Sequence, residues 1–115
     1  MASRREEQRE NARFRVMQLL NEDPKISTRA VANLVGISNG SAYYVLKALV
    51  EKGFVKLENF NNNSRKSQYY YLLTPKGIRE KSVLTRHFIK KKRIEFEMLR
   101  AEIKVLEKEI SQKRP

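Results

Sequence analysis

Along the first 22 positions apolar residues recur at helical spacing: Ala12, Val16, Leu19 and Leu20, with Phe14 and Met17 widening the stripe. This predicts a helix that ends near Asn21, ahead of Asp23-Pro24. The next apolar run, Ala30-Val31-Ala32-Asn33-Leu34-Val35, lies between Ser27 and Gly36. The Ser27 hydroxyl can cap a helix start and Gly36 can take the left-handed conformation of a helix end, so a helix of about nine residues is expected between them. Gly36-Ile37-Ser38 is then a three-residue turn, in which Ile37 plugs the angle between two helices and Ser38 caps the second. So short a link forces the two helices to cross. The third helix is expected from about Asn39 to Lys52, with Ala42, Val45, Leu46 and Leu49 facing inward and Gly53 as its stop. Asn39, Gly40, Ser41, Tyr43, Tyr44 and Lys47 fall on its other side.

Beyond Gly53 the period changes. Phe54-Val55-Lys56-Leu57-Glu58 alternates and Gln68-Tyr69-Tyr70-Tyr71-Leu72-Leu73 is rich in aromatic groups, which predicts two strands. Between them Asn61-Asn62-Asn63-Ser64-Arg65-Lys66-Ser67 is a polar hairpin tip, a wing. Either Tyr70 or its two neighbours must face outward, with sheet packing the expected role of the inward side chains. Thr74-Pro75 starts a helix, because the threonine can cap and proline at the first helical position gives up only an orphan N–H. No proline follows until Pro115. A helix from Pro75 to about Gln112 would be roughly 57 Å long at about 1.5 Å per residue, so it must project or pair.

Within that helix Ile89, Phe96, Ile103 and Ile110 recur every seven residues, and Leu99 and Leu106 stand three further on. They form an a/d seam suited to dimerisation, with Lys92 and Lys113 as polar d members. A second stripe of Ile94, Met98, Ala101 and Val105 lies on the c and f positions, where a two-stranded coil should be polar. The N-terminal helix, from the same or the opposite subunit, is the expected cover. At the flanks of the first seam a parallel dimer sets Glu95 against Arg100 and Glu109 against Arg114, whereas an antiparallel one sets the glutamates against one another, so parallel pairing is slightly favoured.

Charge narrows the function. Lys plus Arg number 25 and Asp plus Glu 13, a formal net charge of +12 over 115 residues, which points to polyanion partners. The excess is concentrated: residues 75–93 hold eight basic groups against one acidic, whereas residues 94–115 are balanced. Lys90-Lys91-Lys92-Arg93 reads either as a solvated helix face or as a stripe facing phosphates. Cysteine is absent, so thiolate metal sites and disulfides are excluded. No apolar run approaches a membrane span, and a soluble cytoplasmic protein is expected.

Catalytic chemistry has little to work with. His87 is the only histidine, its helical neighbours Lys90 and Lys91 offer no carboxylate to orient it, and the acidic residues do not cluster at ligand spacing. No glycine-rich phosphate loop occurs. No enzyme, metal or cofactor is expected.

The order helix, helix, tight turn, helix, strand, polar tip, strand, long helix is the plan of a winged helix-turn-helix protein. The fold class expected is mainly α with a small β-hairpin. Its winged-helix part covers residues 1–74, and a long C-terminal dimerisation helix covers residues 75–115. A helix with its side chains is about 10–12 Å across and fits the major groove of duplex DNA, about 12 Å wide. The candidate DNA contacts are Ser38, Asn39, Gly40, Ser41, Tyr43, Tyr44 and Lys47 on the third helix, with Arg65 and Lys66 at the wing tip. Ser38, Ser41 and the helix N-terminus can hold a phosphate; Asn39 can pair with adenine; Tyr43 can meet a thymine methyl; Tyr44 and Lys47 can reach flanking phosphates. The candidate dimer contacts are Ile89, Phe96, Leu99, Ile103, Leu106 and Ile110. Two rivals remain: a protein–protein adaptor on the same scaffold, and RNA binding through the tyrosine strand.

The stretch from Ile37 to Leu49, continued by Lys52-Gly53-Phe54-Val55-Lys56, resembles the recognition helix and first wing strand of MarR-type regulators. Tyr71-Leu72-Leu73-Thr74-Pro75-Lys76-Gly77-Ile78, then Glu80-Lys81, Leu84-Thr85, Phe88, Lys92, Glu95-Phe96-Glu97 and Leu99, is similar to the compact branch called EPS-associated MarR-family transcriptional regulators. The resemblance runs from about residue 14 to residue 110. It implies a dimeric, double-stranded-DNA-binding repressor or activator of exopolysaccharide or other surface-polysaccharide genes in a bacterium. It leaves the operator and any small-molecule effector open.

Overall fold

The structure is a computed structural model that describes residues 4–60 and 68–112. Its elements are α1 (Arg4–Glu22), α2 (Thr28–Val35), α3 (Asn39–Glu51), β1 (Val55–Phe60), β2 (Gln68–Leu73) and α4 (Pro75–Gln112). The chain divides into two compact units, Met1–Leu84 and Thr85–Pro115. The expected order of elements is present throughout, with β1 beginning one residue later and running two residues further than its alternation implied.

The first unit is held by one apolar core. Val16, Met17, Leu19 and Leu20 of α1 meet Val31 and Ala32 of α2, Ala42, Leu46 and Leu49 of α3, Val55 of β1 and Leu84 of α4. Each large side chain buried this way contributes about 1.5–3 kcal/mol. Val45, expected inside, is only half-buried and packs against the edge of this cluster. The outer end of α1, Arg4–Asn11, is polar at every position.

Backbone chemistry fixes where α2 and α3 begin and end. The Ser27 hydroxyl accepts the Ala30 N–H at 3.1 Å and so caps α2. At its other end Gly36 is left-handed (φ 81°), and both Gly36 and Ile37 donate to the Ala32 carbonyl, at 2.9 and 3.0 Å. Helix α3 closes in the same way. Gly53 (φ 78°) donates to Val50 and Phe54 donates to Leu49, each at 3.0 Å, a Schellman turn, and Phe54 and Leu49 are both buried.

Antiparallel strands β1 and β2 pair from Val55 with Leu73 to Phe60 with Gln68. Tyr71 and Leu73 pack against the core, and the Tyr71 N–H donates to the Pro24 carbonyl at 3.0 Å, tying the hairpin to the α1–α2 link. Tyr70 is half-buried with the Lys25 ammonium 5.4 Å from its ring centre, and Tyr69 is exposed. On β1 a hydrogen bond and ion pair with Glu58 at 2.7 Å hold the exposed Lys56 ammonium above its ordinary range.

Helix α4 is welded by its first turn to the end of α3. Thr74 Oγ1 accepts the Gly77 N–H at 3.0 Å and donates to the Gly53 carbonyl at 2.6 Å, and the Thr74 N–H donates to the Phe54 carbonyl at 3.0 Å. Lys76 Nζ donates to the Lys52 carbonyl at 3.0 Å and lies 5.2 Å from the Phe54 ring centre. Gly77 lies against the Phe54 carbonyl so closely that a Cβ there would fall on the oxygen, 2.9 Å from the carbonyl carbon. Thr74, Lys76 and Gly77 therefore dock α4, satisfying or approaching the carbonyls of Lys52, Gly53 and Phe54 that follow the end of α3.

Candidate nucleic-acid interface

Helix α3 buries one side and presents the other. Ala42, Leu46 and Leu49 are anchored in the core. Residues advance about 100° each, so Gly40, Tyr43, Tyr44 and Lys47 are turned away from that anchor, and they are exposed, as is Asn39 at the first position of the helix. Tyr43 and Tyr44 show 57% and 76% of their surface. Neither tyrosine is spent on covering the core, which leaves two aromatic rings and two hydroxyls available to a ligand. Lys47 lies one turn beyond Tyr43, on the same outward side.

The start of α3 is ordered by its own serines. Ser38 Oγ accepts the Ser41 N–H at 3.1 Å and donates to Ser41 Oγ at 2.9 Å. Ser38 is thus committed to capping, and Ser41 is the better placed of the two to give its proton to a phosphate oxygen. Gly40 is not required by the fold. Its φ is not left-handed, and an added Cβ would meet nothing nearer than Ser38 Oγ at 4.0 Å.

Ser38, Asn39, Gly40, Ser41, Tyr43, Tyr44 and Lys47 are all exposed, at the N-terminal end of α3 and round its outer side. Arg65 and Lys66 lie outside the described residues. Ile89, Phe96, Leu99, Ile103, Leu106 and Ile110 belong to the second unit and are exposed, from 46% at Ile89 to 67% at Ile110. Sequence reasoning missed a groove between α1 and α3, floored by Val45, Ala48 and Leu49 and edged by Tyr44 and by Arg9 and Arg13 of α1. The helical phase of Tyr44, Ala48 and Lys52 carried the signal for it. Among the described residues no three His, Asp or Glu side chains stand together as metal ligands, and no helix is long and apolar enough to cross a membrane.

Residues 9–56 match the family described as winged helix-turn-helix DNA-binding. No curated protein matches the sequence. Among solved structures the fold is similar to that of Lactococcus lactis ZitR (21% identity, TM-score 0.65, 88% of this chain and 70% of that one). It is also similar to the adhesin competence repressor AdcR from Streptococcus pyogenes (17%, 0.64, 88% and 76%) and to a MarR/EmrR family transcriptional regulator from Acinetobacter sp. ADP1 (18%, 0.58, 87% and 75%). The chain has a winged-helix fold of the kind these regulators share.

Proposed function

We propose that this chain is a homodimeric transcriptional regulator of the MarR type that reads double-stranded DNA with α3. The observation that carries the reading is the division of α3 into a buried anchor and an exposed strip running from Ser38 to Lys47 with both tyrosines outward. Inserted in a major groove, the strip offers Asn39 and Tyr43 to base edges, while Ser41, Tyr44 and Lys47 reach phosphates. Arg65 and Lys66 extend the contact into the neighbouring groove. The seam of Ile89, Phe96, Leu99, Ile103, Leu106 and Ile110 joins two copies, which sets two recognition helices on half-sites about one turn, roughly 34 Å, apart. Exopolysaccharide genes are the target class that the sequence resemblance supplies. Residues 1–74 act as the reading domain and residues 75–115 as the pairing helix of a cytoplasmic protein without catalytic activity.

Selection of bound sequences from a random duplex pool tests this. A two-fold symmetric motif with half-sites about one turn apart is expected. Recovery of no motif, at affinities matched by a peptide of equal charge, would refute sequence-specific reading.

A further inference from the structure

Asn39-Gly40 is the one Asn-Gly pair in the chain, and it stands in the first turn of α3. The pair carries its own chemistry. A backbone nitrogen that follows asparagine can attack the side-chain amide carbon, and glycine in the following position lacks the Cβ that shields this nitrogen in other residues. Two conditions decide whether a folded chain permits the attack. The nitrogen must be free of a hydrogen bond, and the backbone about the asparagine must be able to turn.

Both conditions are met at this turn. Asn39 and Gly40 are the first two helical residues, ahead of the Ser41 N–H that Ser38 Oγ accepts at 3.1 Å and the Ala42 N–H that the Ser38 carbonyl accepts at 2.9 Å. Among the described residues nothing accepts the Gly40 N–H and nothing holds the Asn39 amide. The positive end of the helix dipole favours a nitrogen that has given up its proton. Asn39 is exposed, and beyond the helix's own backbone the space beside Gly40 is open as far as Ser38 Oγ. Only the cap and the first bond of the helix keep Asn39 helical, and terminal turns open far more readily than interiors. Asn33 supplies the contrast. It is exposed too, but it lies within α2, where the N–H of the following Leu34 belongs to the helical ladder and stands beside a side chain.

We propose that Asn39-Gly40 is a self-modification site that inactivates the DNA-reading end of α3. The Gly40 nitrogen bonds to the Asn39 side-chain carbonyl carbon, the bond from that carbon to the amide nitrogen breaks, and ammonia leaves with the proton that Gly40 gave up. Water then opens the succinimide at one carbonyl or the other, which leaves aspartate or isoaspartate. No oxidant, cofactor or second protein takes part. Aspartate at the first helical position suits the helix dipole, yet it replaces a neutral amide by a negative charge on the side of α3 proposed to face DNA. Isoaspartate also lengthens the backbone by one methylene and draws Ser38 away from Ser41. DNA in contact with this turn holds it closed, so unbound copies lose competence with time and bound copies keep it. The effect on DNA binding rests on the proposed function, whereas the reaction does not.

The test incubates the full chain for days at mildly alkaline pH, folded and, in parallel, unfolded in urea. Cleavage after Arg29 and Lys47 releases one peptide, residues 30–47, that carries both Asn39 and Asn33, so mass spectrometry reads the reactive site and an internal control together. In the folded chain Asn39 should be converted at a rate within about tenfold of that in urea, with Asn33 intact and part of the product accepting a methyl group from an isoaspartyl methyltransferase. Gly40→Ala should slow the conversion about tenfold, Ser38→Ala should speed it, and a duplex recovered by selection should protect Asn39. Asn39→Asp, the product made directly, should raise Tm while weakening binding to that duplex about tenfold. Retention of the Asn39 amide in the folded chain while the unfolded chain loses it, or an undiminished rate in Gly40→Ala, would overturn the reaction. Undiminished DNA affinity in Asn39→Asp would overturn its consequence. Failure of the unaltered protein to bind any duplex would overturn the proposed function, and the peptide mass would still decide the reaction.

Discussion

Replacing Gly40 by alanine separates a structural glycine from a functional one, because the two roles predict effects of opposite sign. The residue sits in the first turn of α3 with an ordinary helical conformation, and a Cβ would meet only Ser38 Oγ at 4.0 Å. Alanine loses less conformational freedom on entering a helix, so Gly40→Ala should stabilise the fold by about 0.5–1 kcal/mol, the lower figure reflecting the terminal position. In a domain of this size that raises Tm by about 2–8 °C. The same methyl group stands on the side of α3 proposed to face DNA. Forcing α3 outward there would lengthen the hydrogen bonds from Asn39 and Ser41, and loss of one good base contact costs about 1–3 kcal/mol, tenfold or more in Kd. Thermal unfolding and fluorescence anisotropy on one protein preparation read both quantities. A variant that is more stable and binds duplex as tightly as before would refute the idea that the first turn of α3 approaches DNA.

Other substitutions probe the frame and the charge. Gly77→Ala should destabilise the first unit by about 1–3 kcal/mol in urea unfolding, because its Cβ has no space beside the Phe54 carbonyl. Ser38→Ala removes the cap held at 3.1 Å to the Ser41 N–H and should cost about 1 kcal/mol in the same assay. Changing Lys90, Lys91 and Lys92 together to alanine should weaken binding to all duplexes alike and flatten the dependence of log Kd on log salt; an unchanged slope would remove the phosphate-facing role of this segment. Tyr43→Ala and Asn39→Ala should instead relax sequence preference at constant salt slope, measured on single-base variants of a selected site.

Most of the fold was legible because its boundaries are set by local chemistry. Ser27, Gly36, Ser38, Gly53 and Thr74 each end or begin an element through hydrogen bonds to residues no more than five positions away, and such signals survive in a sequence without tertiary knowledge. The phase of Ala42, Leu46 and Leu49 put Tyr43 and Tyr44 on the outer face but left one of them free to turn inward over the core; the structure exposes both. What was not legible is long-range. Lys76 donating to Lys52 and Thr74 donating to Gly53 join residues 24 and 21 positions apart, and nothing in the local pattern announces such pairs. The close approach of Gly77 to the Phe54 carbonyl is likewise a contact between residues 23 positions apart. Val45 was assigned to the core by phase alone, yet the groove between α1 and α3 leaves it half-open, since helical period gives a direction and not the distance to the next element.

The absence of cysteine from the chain permits a single reporter on α3 itself. Glu51→Cys, at the exposed C-terminal end of the helix, can carry an iron chelate that cuts nearby deoxyribose on a duplex recovered by selection. If α3 lies in the major groove, strand scission should be confined to a few base pairs within each half-site, at two positions related by the dyad. Scission spread evenly along the duplex, or none while binding persists, would contradict recognition by this helix.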